Sequence, residues 1–62
     1  MSIQKIVDLK TLRYLVKLTG LECVVTATPD GFELTMDTGE VEPATSVYQG
    51  VRIINAYIAG RS

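Results

Sequence analysis

Residues 21–37, LECVVTATPDGFELTMD, form two runs of alternating apolar and polar side chains joined by Thr28-Pro29-Asp30-Gly31. A period of two marks a half-buried strand, and a Pro-Asp-Gly junction marks a tight reversal. The chain must therefore carry a β-hairpin at its centre. In the first run Leu21, Cys23, Val25 and Ala27 share one face, against Glu22, Val24, Thr26 and Thr28. In the second, Phe32, Leu34 and Met36 oppose Glu33, Thr35 and Asp37. Directly opposed residues of an antiparallel pair lie on the same face, so matching apolar to apolar fixes the register. Ala27 pairs with Phe32, Val25 with Leu34 and Cys23 with Met36, which leaves a four-residue loop from Thr28 to Gly31. A three-residue loop sets apolar against polar along the whole ribbon. Pro29 presets φ at the first corner of a type I turn, and Gly31 is free to take a positive φ.

A hairpin alone is marginal in water, so its apolar face needs a cover. Asp8 is suited to an N-cap, and Leu9, Leu12, Leu15, Val16 and Leu18 recur at helical spacing behind it. The spacing predicts a helix over 9–19, stopped by Gly20 in the left-handed conformation, with Leu21 folding back on the last turn. Residues 2–7 read two ways. Ile3, Lys5 and Val7 share a face as a strand, and Ile3, Ile6 and Val7 fall off the apolar stripe as a helix. A short extended or loosely helical lead-in is expected.

After the hairpin, Asp37-Thr38-Gly39-Glu40 reads as a turn and the run from Pro43 to Ser46 as a connector. Ser46 with Gln49 three residues later fits a capping box. Val47, Val51, Ile54 and Ile58 then recur at spacings of four, three and four, a helical stripe ended by Gly60, with Arg61 and Ser62 as tail. VRIINAYIA is rich in β-branched residues, and residues 47–59 as a third strand are the alternative. The helical stripe is the cleaner pattern. The expected fold is a single α+β domain over 1–62, a helix–β-hairpin–helix with both helices packed on one face of the antiparallel hairpin. Val24, Thr26 and Thr35 stay outside.

The chain has 62 residues, one cysteine and no histidine. An intrachain disulfide and a zinc site are both excluded, so the core, or a partner chain, must supply the stability. No apolar run approaches the ~20 residues of a membrane span, and MSIQKIVDLK lacks a signal-peptide pattern. A cytoplasmic protein without membrane contact is expected, in keeping with one unpaired thiol.

Charge is sorted along the chain: a net +3 over residues 1–21, −6 over 22–50 and +2 over 51–62. Basic helices resting on an acidic hairpin account for this within one molecule. Surfaces of opposite sign that select a partner, or pair two copies, are the functional reading.

Few residues are suited to chemistry. Cys23 falls on the buried face without a base to deprotonate it, which makes it a small hydrophobe. Glu33, Asp37, Glu40 and Glu42 lack the regular ligand spacing of a cation loop and read as a solvated face. The five glycines are too dispersed for a phosphate loop. An enzyme is not expected, and neither a metal nor a cofactor is called for. VYQGVRIINAYIAGR is superficially similar to the recognition-helix region of small phage repressors, but Gly39 and Pro43 occupy the place of the preceding helix and tight turn.

Two surfaces remain. Ile53 and Tyr57 lie on the side of the second helix away from its stripe, so a monomer leaves Ile53 largely exposed. With Gln49 and Arg52 they are the expected partner-binding residues, in contact with a protein partner or with a second copy in a homodimer. Lys10, Arg13, Tyr14 and Lys17 gather on one face of the first helix, three cations and an aromatic suited to phosphates. The leading expectation is a small non-enzymatic protein-interaction module, an accessory factor or inhibitor of the size common in phages and mobile elements. A nucleic-acid-binding regulator using the basic helix face is the alternative.

Overall fold

Ser2 opens the first helix. Its Oγ accepts the Lys5 amide at 3.2 Å, satisfying one of the donors that a helix start leaves free, and its carbonyl accepts the Ile6 amide at 3.2 Å as the first bond of the helix. In the computed structural model, which describes residues 2–61 and of Arg61 the backbone alone, α1 spans Ile3–Thr19. The order is then β1 (Cys23–Thr28), β2 (Gly31–Met36), β3 (Val41–Ala44) and α2 (Val47–Arg61). The expected tail residue Ser62 lies outside the described residues.

The helical start corrects the expected boundary by six residues. Asp8 is inside the helix and accepts a hydrogen bond from Gln4 Nε2 at 2.9 Å, an i,i+4 pair. Ile3, Ile6 and Val7 are off the core stripe because they face outward, not because the segment is irregular. The C-terminal end is as expected. Gly20 has φ 75° and its amide donates to the Lys17 carbonyl, and Leu21 is buried directly after it.

The hairpin register is the expected one, with Ala27 opposite Phe32, Val25 opposite Leu34 and Cys23 opposite Met36. Pairing runs one step further, to Thr28 and Gly31, so the reversal narrows to Pro29-Asp30. Neither of these two residues has a positive φ, and Gly31, at φ 154°, absorbs the bend instead.

The connector expected from Pro43 onward is instead part of a third strand. The turn after Met36 closes with Gly39 N–H donating to Met36 O at 2.9 Å and Met36 N–H donating to Glu40 O at 2.8 Å. β3 then pairs antiparallel with β2, setting Phe32 opposite Ala44 and Thr35 opposite Val41. The sheet order is β1-β2-β3, so β3 is an edge and the missing N–H of Pro43 is tolerated there.

Both helices lie on the inner sheet face, α1 against β1, α2 against β3, and each against the other. The buried core is Leu12, Val16, Leu21, Val25, Phe32, Leu34, Met36, Ala44 and Ile54. In α2 the buried side is rotated from the expected stripe. Ile54 is buried and Val47 and Val51 are half-buried, while Ile58 is 38% exposed and Ile53 and Tyr57 pack against the core. Gly50 explains the rotation. It is buried against Leu12, and a Cβ there would meet Leu12 Cδ2 at 2.7 Å. At Gly50 the absent side chain lets α2 come up against Leu12 of α1, which turns that side of α2 inward.

Candidate functional site

The structure uses several of the expected site residues for itself. Gln49 completes the start of α2: its amide donates to Ser46 Oγ at 3.1 Å, and its Oε1 accepts from Thr45 N and Thr45 Oγ1 at 2.7 and 2.8 Å. The capping box is thus displaced by one residue on its return arm. Arg52 lies over the Tyr48 ring, 5.9 Å from its centroid. Ile53 is half-buried against the core rather than largely exposed. Tyr57 is half-buried too, and its hydroxyl donates to Glu40 Oε2.

The Tyr57–Glu40 bond ties α2 to the β2–β3 turn beside an open pocket that Asp37, Thr38, Ala56 and Gly60 also line. Donation to Glu40 holds the Tyr57 proton in place, and partial burial and the nearby charges of Glu40, Glu42 and Asp37 add to the effect, pushing its pKa up to about 12. The raised folded-state value stabilises the fold fully below the ordinary tyrosine range, and that contribution is lost as pH rises from about 10 through about 12. An absorbance titration should show Tyr57 ionising late, and Glu40→Gln should bring it down toward the ordinary tyrosine range.

The basic face of α1 is divided. Arg13 reaches back to the sheet, with Nε and Nη2 donating to the Val25 carbonyl at 3.1 and 3.0 Å. Lys5 Nζ donates to the Thr28 carbonyl and sits 5.9 Å from the centroid of the Phe32 ring. Both cations occupy carbonyls of β1, an edge strand, and so obstruct pairing with a foreign strand. Lys10, Tyr14 and Lys17 remain exposed.

Beside them is the surface that the sequence reading missed. Ile3, Val7, Tyr14 and Leu18 are 82%, 49%, 61% and 64% exposed. Their spacings of four, seven and four place them in one narrow sector at about 100° per residue, roughly opposite Leu12 and Val16. Ile6, 41% exposed, borders them. α1 therefore has two apolar sides, one in the core and one facing out. The available signal was the apolar lead-in Ile3-Ile6-Val7, whose offset from the core stripe is itself the mark of a second face.

The outer sheet face is open as well. By alternation and register, Val24, Thr35 and Val41 form a row across all three strands. Val24 and Val41 are 64% and 51% exposed. Glu33 lies on one side of that row, and Glu22 and Asp37, exposed at the strand ends, lie on the other.

Chemistry has little to work with. Cys23 is half-buried and its burial pushes the thiol up, away from a reactive thiolate. Among the described residues no polar or charged residue is fully buried, and no three His, Cys, Asp or Glu side chains converge on a metal-sized site. Nor is any helix among them long and apolar enough to cross a membrane. No protein-family model, curated protein or solved structure matches the chain.

Proposed function

We propose that this chain is a small interaction module, without catalytic activity of its own, that binds a macromolecular partner through the outer side of α1. The observation that supports this is the exposed row of Ile3, Val7, Tyr14 and Leu18. Two exposed apolar pairs, Ile3 with Val7 and Tyr14 with Leu18, on one side of a helix otherwise well packed are costly to leave in water and are the usual mark of a helix that docks. Helix-borne anchors at such spacings are read by grooves and by other amphipathic elements.

This moves the expected contact from α2 to α1. Ile53, Tyr57 and Gln49 support the fold itself, so their contribution to a partner surface is secondary. Nucleic acid is the weaker reading of the same helix, because Arg13, though exposed, donates to the Val25 carbonyl and is held against the sheet, beside the exposed Lys10 and Lys17.

A photo-crosslinking residue placed at Leu18, in the cells that make the protein, tests the proposal against the same residue placed at the exposed Asn55 of α2. Leu18 should give discrete protein adducts, its own second copy included, that Tyr14→Ser removes. Equal and diffuse labelling from both positions would overturn the reading.

A further inference from the structure

The two uncovered surfaces of this molecule match each other. The α1 row of Ile3, Val7, Tyr14 and Leu18 is bordered by exposed Lys10 and Lys17. The sheet row of Val24, Thr35 and Val41 is bordered by Glu22, Glu33 and Asp37. Each surface is an apolar strip with charge along its margin, and the charges are opposite in sign. The segregation of charge along the chain, basic through α1 and acidic from Glu22 to Glu42, has its spatial meaning here.

Resting on the reading of α1 as a docking surface, we propose that its partner is a second copy of this chain, seated by its outer sheet face. Symmetric pairing of α1 with α1 is the competing arrangement. An antiparallel two-fold pair brings Lys10 and Lys17 of both copies to the same side of the joint, where like charges oppose each other. The sheet face offers carboxylates to the same lysines and covers Val24 and Val41 at the same time.

The geometry dictates the kind of assembly. The exposed side of α1 points away from the core, and the outer sheet face points away from it on the opposite side of the molecule. One copy cannot offer both surfaces to the same neighbour. The contact is heterologous, head to tail, and leaves a free α1 at one end and a free sheet face at the other. Assembly therefore continues beyond two copies. A three-stranded sheet face is a small footprint, at the low end of the roughly 1,000 Å² expected of a specific interface, so association belongs to high protein concentration and low salt.

Sedimentation of four samples tests this. Wild type should show a mass that rises with concentration past that of a dimer above about 100 μM, and falls back in high salt. Tyr14→Ser with Leu18→Gln removes the C-terminal half of the helix row, and Val24→Lys with Val41→Lys blocks the sheet row. All four positions are exposed, and circular dichroism should show both variants folded. Each variant alone should stay monomeric. Mixed in equal amounts, the intact sheet of the first should take the intact α1 of the second and stop at a one-to-one complex. A wild type monomeric at all concentrations, a closed dimer indifferent to Val24→Lys and Val41→Lys, or a mixture that stays monomeric would each overturn the proposal. If wild type is monomeric while Leu18 still crosslinks to a foreign protein, head-to-tail assembly fails and the interaction-module reading stands.

Discussion

Leu12→Ala should cost the protein a large part of its stability. Leu12 is fully buried at the crossing of the two helices, against Gly50. Truncating such a leucine costs about 2–5 kcal/mol, the transfer of the side chain plus the cavity it leaves. A chain of this length has roughly 3–9 kcal/mol of total stability, so one substitution removes a large part of it. The loss should be partly recoverable. In the native core a methyl at position 50 would press on Leu12 Cδ2 at 2.7 Å, and a fully buried Leu12 has nowhere to retreat. Gly50→Ala alone gains up to ~1 kcal/mol of helix propensity but overpacks the crossing, at about 1–3 kcal/mol. With Leu12→Ala in place the clash is gone, and Gly50→Ala should restore stability. Urea denaturation of the four members of this cycle should show the Gly50 effect change sign, which independent sites cannot do.

Gly31→Ala should be comparably severe, by a different mechanism. A Cβ at Gly31 would lie 2.3 Å from the Ala44 carbonyl oxygen and 2.9 Å from Thr45 Cα, both backbone atoms that no rotamer change can move. The φ of 154° is also one that an L-residue rarely adopts. The variant must either separate β3 from β2 or rebuild the reversal at Pro29-Asp30. Losing β3 exposes Phe32 and Ala44, which face each other across that pair. A loss of about 3 kcal/mol or more is expected. Native-state hydrogen exchange should locate it, with protection lost first across β2 and β3 and kept longer in α1. Unchanged exchange along β3 would contradict this account of the glycine.

How much of this was legible in the residues depended on what each element had to bury. The β1–β2 register could be read because Cys23, Val25 and Ala27 alternate cleanly against Phe32, Leu34 and Met36, and a slip by one inverts every side chain. The Ser46–Gln49 start and the Gly20 stop were legible because capping chemistry is local. β3 was not. It has four residues, buries Ala44 alone among them, and contains a proline that reads as a breaker unless the strand is known to be an edge. The start of α1 was missed because a single inward stripe was assumed, whereas Ile3, Ile6 and Val7 belong to an outward one. The rotation of α2 was hidden because a glycine inside the helix marks a close approach without naming what approaches, and the partner here is the Leu12 side chain. The carboxylates read as a solvated face were largely that, except that Glu40 accepts the hydrogen bond of the Tyr57 hydroxyl. For the candidate site, Lys10, Tyr14 and Lys17 were read as exposed and are, while Arg13 was read as free and is bound to β1.

The two-sided character of α1 is most directly tested by solvent accessibility of its methyl groups. A soluble paramagnetic agent, added to methyl-labelled protein dilute enough to be monomeric, should strongly relax Ile3, Val7 and Leu18 and leave Leu12, Val16 and Leu34 almost untouched. If Ile3, Val7 and Leu18 are shielded as well as Leu12 is, α1 has no outward apolar side, and the docking surface built on it does not exist.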